Sequence, residues 1–219
     1  MMELKEAMEK RHSVRQYKDV AIEEGTAARL REEIERCNEE SGMHFQLVTD
    51  EPKAFDCMMA RYGRFSGVSN YIALVGKKSK DFDERCGYYG ERIVLEAQRL
   101  GLHTCWAAIS YSKTPGAFEV GKDEKLSLVI AVGYGRNKGL VRKSKSLEEV
   151  SNAGESTPAW FREGVEAALM APTAMNQQKF YFTYNDDGTV SAKAGAGFYT
   201  KMDLGIVKYH FEVATGKKI

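Results

Sequence analysis

Two largely apolar runs of strand length most constrain what this chain can fold into. Residues 71–76 and residues 126–134 contain no charged side chain, which is typical of strands buried on both faces. Between them, apolar residues recur at helical spacing over residues 83–100, which predicts an amphipathic helix that ends at Gly101. Helical and strand patterns are interleaved along the whole chain, which predicts the α+β class with a mixed sheet.

The remaining patterns complete this prediction. Helices are predicted over residues 3–10, 23–40, 54–62, 83–100, 158–171 and 199–215, and strands over residues 43–49, 71–76, 104–109, 126–134, 179–184 and 190–194. The turn signal at residues 185–188 predicts a hairpin between the last two strands. Residues 137–155 are polar and are predicted to be an extended connection. We expect one domain, 1–219, with a weak internal helix–strand repeat at 23–49 and 158–184.

Composition excludes several classes of function. Lys and Arg number 32 and Asp and Glu 31, for a formal charge of +1, which argues against nucleic-acid binding through bulk electrostatics. No apolar stretch approaches the roughly 18 residues of a transmembrane helix. The charged amino-terminal segment and four cysteines without a C-x-x-C pair favour the cytosol and reduced, mostly buried thiols. The four dispersed histidines argue against a metal site, and His210 is expected to be structural.

The segment Arg11-His12-Ser13-Val14-Arg15 is a candidate anion site. Two guanidinium groups and a hydroxyl within five residues can converge on one phosphate through charge-assisted hydrogen bonds. The segment follows a predicted helix C-terminus, where the helix dipole disfavours anions. The arginines would therefore supply the attraction themselves. The alternative is a basic turn that complements the same dipole.

Two further segments could contact a flat heterocycle. Residues 171–178 read Ala-Pro-Thr-Ala-Met-Asn-Gln-Gln, and their amides can pair with alternating donors and acceptors; the alternative is a polar loop between a helix and a strand. Residues 101–109 contain a predicted strand ending in small residues, which would let a ring approach the backbone. Trp106 is either a core residue or a stacking surface. Arg64 is a possible ligand contact or a surface arginine.

Together, these segments resemble the nitroreductase family of FMN-dependent oxidoreductases, and most closely the branch described as putative TM nitroreductase. Residues 11–15 are similar to the family's R-R-S-x-R, with His12 in place of the second arginine. Residues 171–180 are similar to A-P-S-x-x-N-x-Q-P-W, with Lys179-Phe180 in place of Pro-Trp. Residues 101–109 are similar to G-L-G-x-C-W-x-G-G, with Ala107-Ala108 in place of the glycine pair.

The resemblance implies a nitroreductase-like fold with a largely antiparallel sheet flanked by helices, and a site for FMN. It implies that Arg11, Ser13 and Arg15 hold the FMN phosphate and that Gln178 supports the ring-contacting loop. The full set of cofactor-binding residues that it implies is Arg11, His12, Ser13, Arg15, Arg64, Trp106, Ala107, Ala108, Ile109, Arg142, Lys143, Pro172, Thr173, Ala174, Asn176 and Gln178. Lys145 is a further candidate cation.

The same resemblance implies an activity. The flavin would take hydride from NAD(P)H and pass electrons to a nitroaromatic, a quinone or a similar small-molecule acceptor, without a catalytic side chain. A homodimer is expected. In common family members the A-P-S segment lies near the place held here by residues 37–46, whereas this chain has its counterpart at residues 171–178. Two alternatives remain open: a flavin-fragmenting or dehalogenating enzyme on the same scaffold, and a ligand-binding relative without enzymatic activity.

Overall fold

Helices and strands alternate along the chain in the computed structural model, which describes residues 2–140 and 143–219. The helices are α1 (Leu4–Lys10), α2 (Glu24–Ser41), α3 (Met58–Tyr62), α4 (Phe82–Arg99), α5 (Leu147–Val150), α6 (Ala159–Met170) and α7 (Thr200–Thr215). The strands are β1 (Gln46–Val48), β2 (Tyr71–Lys77), β3 (His103–Ala107), β4 (Glu124–Gly133), β5 (Phe180–Tyr184) and β6 (Val190–Ala194). The described residues fall into two compact units: residues 10–82 and 93–140 form the first, and residues 2–9, 83–92 and 143–219 form the second.

The first unit is built on a four-stranded antiparallel sheet with the strand order β1-β2-β4-β3. The two apolar runs of the sequence become the two central strands, with Ile72 opposite Ile130 and Tyr71 opposite Ala131. Tyr71 and the four residues after it have no exposed surface. Burial on both faces explains why these strands lack the alternation of a half-exposed sheet.

The second unit packs α6 against α7 beside the β5–β6 hairpin. Gly87, in the part of α4 that belongs to this unit, and Gly205 of α7 lie where two helix backbones meet. A Cβ at Gly205 would stand 1.9 Å from the carbonyl oxygen of Glu84, so only glycine permits this contact. His210 of α7 is fully buried; its Nε2 lies 2.9 Å from Glu91 and its Nδ1 lies 3.1 Å from the Ala167 carbonyl oxygen.

The fold class predicted from the sequence is confirmed, with antiparallel ladders in both sheets and single parallel bridges such as Ser13 with Thr104. The structural role of His210 is also confirmed by its two partners. All four cysteines are reduced, and Cys57 is the one that is partly exposed. No described helix is long and apolar enough to cross a membrane.

Two predicted segments differ from the structure. The helix predicted over residues 54–62 is divided into a 3₁₀ turn, Lys53–Phe55, and α3. The break falls at Asp56 and Cys57, and Cys57 is extended, with φ −135° and ψ 163°. The Glu51 carboxylate accepts hydrogen bonds from the backbone N–H groups of Lys53 and Ala54 and so caps the start of the turn. The connection predicted over residues 137–155 contains α5, which begins with a capping box between Ser146 and Glu149.

Candidate functional site

An open cavity of about 360 Å³ lies in the first unit. Its walls come from the segment after α1, from the end of α3 and from the end of β3. The lining residues are Arg15, Tyr62, Gly63, Arg64, Phe65, Trp106, Ala107, Ala108, Ile109 and Ser110. Small-molecule and cofactor sites have volumes of roughly 300–1,000 Å³, and this cavity combines two guanidinium groups with a wall of small residues. It therefore has the size and the chemistry of a site for a flat, anionic ligand.

The segment that carries Arg15 is an extended chain fixed by backbone hydrogen bonds on two sides. The N–H of Val14 donates to the Thr104 carbonyl oxygen at 3.0 Å, and the N–H of Ser66 donates to the Arg15 carbonyl oxygen at 3.0 Å. Tyr17 is buried and its hydroxyl donates to the Ala131 carbonyl oxygen at 3.3 Å. The sheet and the residues before β2 thus position this segment, as a site built on rigid elements requires.

The side chains of this segment divide between the core and the surface. Successive side chains of an extended chain point to opposite faces, so Ser13 and Arg15 lie opposite the fully buried Val14. Arg15 is exposed and lines the cavity, Ser13 and His12 are half-buried, and Arg11 is 3% exposed. The Nδ1 of His12 lies 3.0 Å from the Lys10 carbonyl oxygen. Of Arg11, Ser13 and Arg15, which were predicted to bind the phosphate, Arg15 lines the cavity.

The surroundings of the same segment are positively charged. His103, at the start of β3, accepts a hydrogen bond at Nδ1 from the Gly135 N–H. Burial lowers the pKa of His103, and the nearby ammonium groups of Lys18 and Lys138 lower it further. A field that disfavours a cation on His103 favours an anion nearby.

Arg64 occupies a backbone conformation that side chains rarely adopt. Its φ is +63°, in the left-handed region that disfavours residues other than glycine. It follows Gly63, where a Cβ would stand 2.6 Å from the Ser110 hydroxyl oxygen. The end of α3 and the end of the β3 segment are therefore in close contact, and this contact places Arg64 beside Trp106 and Ile109 in the cavity.

Glu51 is a residue that the sequence analysis missed. Besides capping the turn after it, its carboxylate accepts hydrogen bonds from the Tyr71 hydroxyl and the Thr114 hydroxyl, each at 3.1 Å. Burial raises the pKa of Tyr71, and the Glu51 charge raises it further. The N–H of Ser112 donates to the Ala54 carbonyl oxygen at 2.8 Å. These bonds fix the chain that continues from the cavity wall, and no sequence motif indicates them because their partners are far apart in sequence.

The loop of residues 172–178 lies in the second unit, and its polar side chains bond mainly to one another and to nearby backbone. Gln178 is 3% exposed; its Nε2 donates to the Leu169 carbonyl oxygen at 3.0 Å and its Oε1 accepts from the Lys145 N–H at 2.8 Å. Its own N–H donates to the Thr173 hydroxyl oxygen at 3.1 Å. Gln178 thus joins this loop to the end of α6 and to Lys145, which is consistent with the supporting role that the resemblance implies. The structure keeps Pro172, Thr173, Ala174, Asn176 and Gln178 together in this loop.

The predicted cations beyond Arg15 are placed as follows. The Lys145 ammonium donates to the Gln178 carbonyl oxygen at 2.9 Å, and the Lys143 carbonyl oxygen accepts from the Asn176 amide at 2.8 Å. Both lysines thus contact the loop of residues 172–178. Arg142 lies outside the described residues. Within the described ranges, no three His, Cys, Asp or Glu side chains come together as metal ligands.

Asp203 of α7 is a second residue that the sequence analysis missed. It is 2% exposed, and its two carboxylate oxygens accept from the Ala174 N–H at 2.9 Å and from the Gln177 amide at 2.7 Å. Burial raises the pKa of Asp203 to about 6, against the opposing effect of these two hydrogen bonds. The signal was weak in sequence because the partners are 29 and 26 residues apart.

Comparison with known proteins identifies related chains. A family model described as "Putative TM nitroreductase" matches residues 3–215. The solved structure of a putative nitroreductase from Thermotoga maritima is 27% identical, covers 97% of this chain and 83% of that chain, and has a TM-score of 0.66. No curated protein matches this chain.

Two more distant structures show the same fold. A putative nitroreductase in complex with FMN from Desulfovibrio desulfuricans is 18% identical over 72% of this chain and 99% of that chain, with a TM-score of 0.56. A putative NADH dehydrogenase/NAD(P)H nitroreductase from Parabacteroides distasonis is 23% identical over 68% of this chain and 98% of that chain, with a TM-score of 0.50. The nitroreductase-like fold expected from the sequence is confirmed.

Proposed function

The chain belongs to the nitroreductase family, and from this premise we propose that it is an FMN-dependent oxidoreductase. The observation that carries the proposal is the cavity of the first unit, where Arg15 and Arg64 stand beside a wall of small residues at the end of β3. This wall corresponds to one of the segments from which the sequence analysis expected contact with a flavin. The FMN bound by the relative from Desulfovibrio desulfuricans is consistent with this assignment.

The residues of the cavity fit FMN in charge and in shape. FMN joins a flat, largely apolar ring to a phosphate, and the cavity pairs two cations with Trp106 and Ala108. Arg15 would bind the phosphate, together with Ser13 on the same face of its segment, because guanidinium groups bind phosphate through two parallel hydrogen bonds. Arg11 would add positive charge behind them from its buried position.

The ring would rest on the wall formed by the end of β3. Small side chains at Ala107 and Ala108 allow close approach to the backbone, and the N–H groups of Ala108 and Ile109 are the donors that we assign to it. Arg64 would donate to a carbonyl edge of the ring. The loop of Pro172, Thr173, Ala174 and Asn176 is assigned a second set of ring contacts by the family resemblance, with Lys143 and Arg142 as further cations.

FMN supplies the hydride and electron transfer when it is bound. The chain's own residues bind it, orient its ring and place donors at its edge, so we assign no side chain as a general acid or base. We propose NAD(P)H as the electron donor and a nitroaromatic, a quinone or a similar small molecule as the acceptor. The open cavity supports this assignment because a second flat molecule can reach the site from solvent.

A homodimer in the cytosol completes the proposal. The family resemblance supports the homodimer, and analytical ultracentrifugation of the purified chain tests it: a sedimentation coefficient of a 24.6 kDa monomer would contradict it. Cell fractionation tests the location.

The test of the proposed function is the visible absorption spectrum of the purified chain, with the released cofactor identified by mass spectrometry. We expect a flavin spectrum with FMN near one per chain, bleached anaerobically by NADH or NADPH and restored by a quinone or a nitroaromatic. A chain that stays colourless after incubation with FMN would contradict the proposal. Bound FMN with turnover of halogenated substrates or of flavin itself would instead favour the other enzymes of this scaffold.

A further inference from the structure

The loop of residues 173–178 has an unusual backbone. Met175, Asn176 and Gln178 have φ values of 51°, 54° and 44°, and none of them is glycine. The left-handed region is unfavourable for such residues, most of all for one without a short polar side chain. Three of them within four residues persist only where the surroundings impose this conformation, and such strain concentrates at functional sites.

Two side-chain groups impose it. Gln178 bonds to the end of α6 and to Lys145, which fixes the carboxyl end of the loop. Asp203 holds the loop at two positions, because one oxygen accepts from the Ala174 N–H near the amino end and the other from the Gln177 amide near the carboxyl end. The same Gln177 amide nitrogen also donates to the Phe198 carbonyl oxygen at 2.9 Å. The Asp203 carboxylate thus bonds to the loop at two positions, and Gln177 joins the loop to the residues before α7.

A carboxylate buried to this extent is unfavourable in itself. A buried charge is retained at a cost unless hydrogen bonds compensate for it, and the raised pKa of Asp203 indicates that two bonds do so only in part. A neutral side chain would avoid the cost of the buried charge, but leucine would leave both donors without this acceptor and asparagine would keep an acceptor for one of them. Meanwhile Met175, in the middle of the strained loop, is 86% exposed and contributes little to the core. The arrangement therefore favours the shape of the loop over stability.

We propose that Asp203 is a positioning residue, whose carboxylate holds the loop of residues 173–178 in the left-handed conformation with which the loop contacts FMN. This inference rests on the proposed function, from which it takes FMN as the ligand. The hydrogen bonds that carry it are contacts within the second unit and do not depend on FMN. If Asp203 only stabilised the fold, its substitution would lower the stability of the chain. In the molecules that remain folded, the loop would then be as well ordered as in the wild type.

The experiment compares the wild-type chain with Asp203→Ala and Asp203→Asn by hydrogen exchange and FMN titration at pH 7.5. Asp203→Ala removes both acceptors, whereas Asp203→Asn keeps one acceptor for the Ala174 N–H and places a donor against Gln177. We expect the Ala174 amide to exchange at least tenfold faster in Asp203→Ala, with unchanged exchange in the β5–β6 hairpin. The dissociation constant for FMN should rise about tenfold in Asp203→Ala and about threefold in Asp203→Asn.

A glycine variant separates positioning from a loss of folding. Glycine adopts positive φ without a Cβ penalty, so Met175→Gly should lower the need for the Asp203 contacts. We expect Asp203→Ala/Met175→Gly to recover most of the lost FMN affinity. Asp187→Asn is the matched control, since Asp187 is an exposed acceptor in the hairpin turn of the same unit. It should bind FMN like the wild type.

The outcomes separate the two proposals. Unchanged exchange at Ala174 in Asp203→Ala would overturn the inference, and so would faster exchange with unchanged FMN affinity. A wild-type chain that does not bind FMN would overturn the proposed function and with it the ligand of this inference, and the exchange rates would still show whether Asp203 holds the loop.

Discussion

The cavity of the first unit and the loop of residues 172–178 in the second use polar residues in opposite ways. In the cavity, Arg15 and Arg64 are exposed on a backbone that the sheet holds in place. At the loop, Gln178 and the neighbouring Asp203 of α7 are buried and bond to other groups of the chain. The side chains of the cavity are therefore accessible to a ligand, whereas the buried side chains in and beside the loop bond within the chain and fix its backbone conformation.

This difference bears on how a sequence motif is interpreted. Both segments were predicted to touch a cofactor, and both contain donors suited to that task. In the structure, the Asn176 amide donates to the Lys143 carbonyl oxygen, and the Gln178 amide donates to the Leu169 carbonyl oxygen at the end of α6. Contact with a ligand through this loop would therefore rely on backbone groups and on the side-chain carbonyl oxygen of Asn176. Substitutions in the two regions should differ accordingly: those in the loop should alter stability first, and those in the cavity should alter ligand affinity first.

The largest effect is expected at the buried amide of the loop. Gln178→Leu leaves the Leu169 carbonyl and the Lys145 N–H without their partner, and each buried group left unsatisfied costs about 1–3 kcal/mol. We expect the free energy of unfolding to fall by about 2–4 kcal/mol, measured by urea denaturation at pH 7. Gln98→Leu, a half-buried glutamine of α4, is the control and should change it by less than about 1 kcal/mol. Equal effects would contradict the special role of Gln178.

Asp203 should give stability a pH dependence of the unusual sign for a carboxyl group. Because its folded pKa is raised to about 6, the folded chain keeps a proton that the unfolded chain has released. The contribution of Asp203 to stability is therefore full below pH 4 and falls as the pH rises through about 4 to 6, by up to about 3 kcal/mol.

Denaturation curves of the wild type and Asp203→Asn across this range measure that contribution. The free energy of unfolding of the wild type, relative to that of Asp203→Asn, should fall as the pH rises and level off above about pH 7. A difference that is the same at pH 4.5 and pH 7 would show that the carboxyl does not titrate with a raised pKa.

In the cavity, the expected effect is on ligand affinity rather than on stability. Arg15→Ala removes a charged hydrogen-bond donor worth about 1.5–3 kcal/mol, so the dissociation constant for FMN should rise about 10- to 100-fold, measured by fluorescence titration. Arg61→Ala is the control, because Arg61 is exposed nearby, pairs with Asp56 at 2.8 Å and is not among the lining residues. FMN binding by Arg15→Ala like that of the control would show that the phosphate assignment is wrong.

The smallest effect tests the strain in the loop directly. Met175→Gly relieves a left-handed conformation that costs about 1–2 kcal/mol and adds about 0.5–1 kcal/mol of backbone entropy cost, so it should stabilise the chain by about 0.5 kcal/mol. Met58→Gly is the opposite case: Met58 is also largely exposed, but it lies in α3, where glycine destabilises. Differential scanning calorimetry should show opposite shifts in Tm. Shifts of the same sign would indicate that Met175 is not strained.

The sequence predicted the elements of this fold better than the contacts between them. The two apolar runs led to β2 and β4, and the turn at residues 185–188 led to the hairpin, because hydrophobic periodicity and turn chemistry are local. The break in the helix predicted over residues 54–62 lies at Asp56 and Cys57, where the backbone is not helical, and a local pattern does not reveal it. The capping box of α5 was visible in the sequence, as Ser146 followed three residues later by Glu149.

The candidate site shows the same limit. Residues joined by motif similarity, such as Arg15 and residues 106–109, do share one cavity. Asp203 and Glu51 carry no motif, because each acts on partners that are distant in sequence. Arg64 was found only as a possible contact, since no local sequence pattern indicates its left-handed backbone or the close approach of Gly63 to Ser110.

The most direct test of the central claim is a pair of equilibrium titrations of the flavin-depleted chain, one with FMN and one with riboflavin, which has the same ring without the phosphate. We predict saturable binding of about one FMN per chain, and binding of riboflavin that is at least tenfold weaker because Arg15 has no phosphate to contact. The absence of saturable FMN binding would contradict the account, and equal affinities for the two flavins would contradict its assignment of the phosphate.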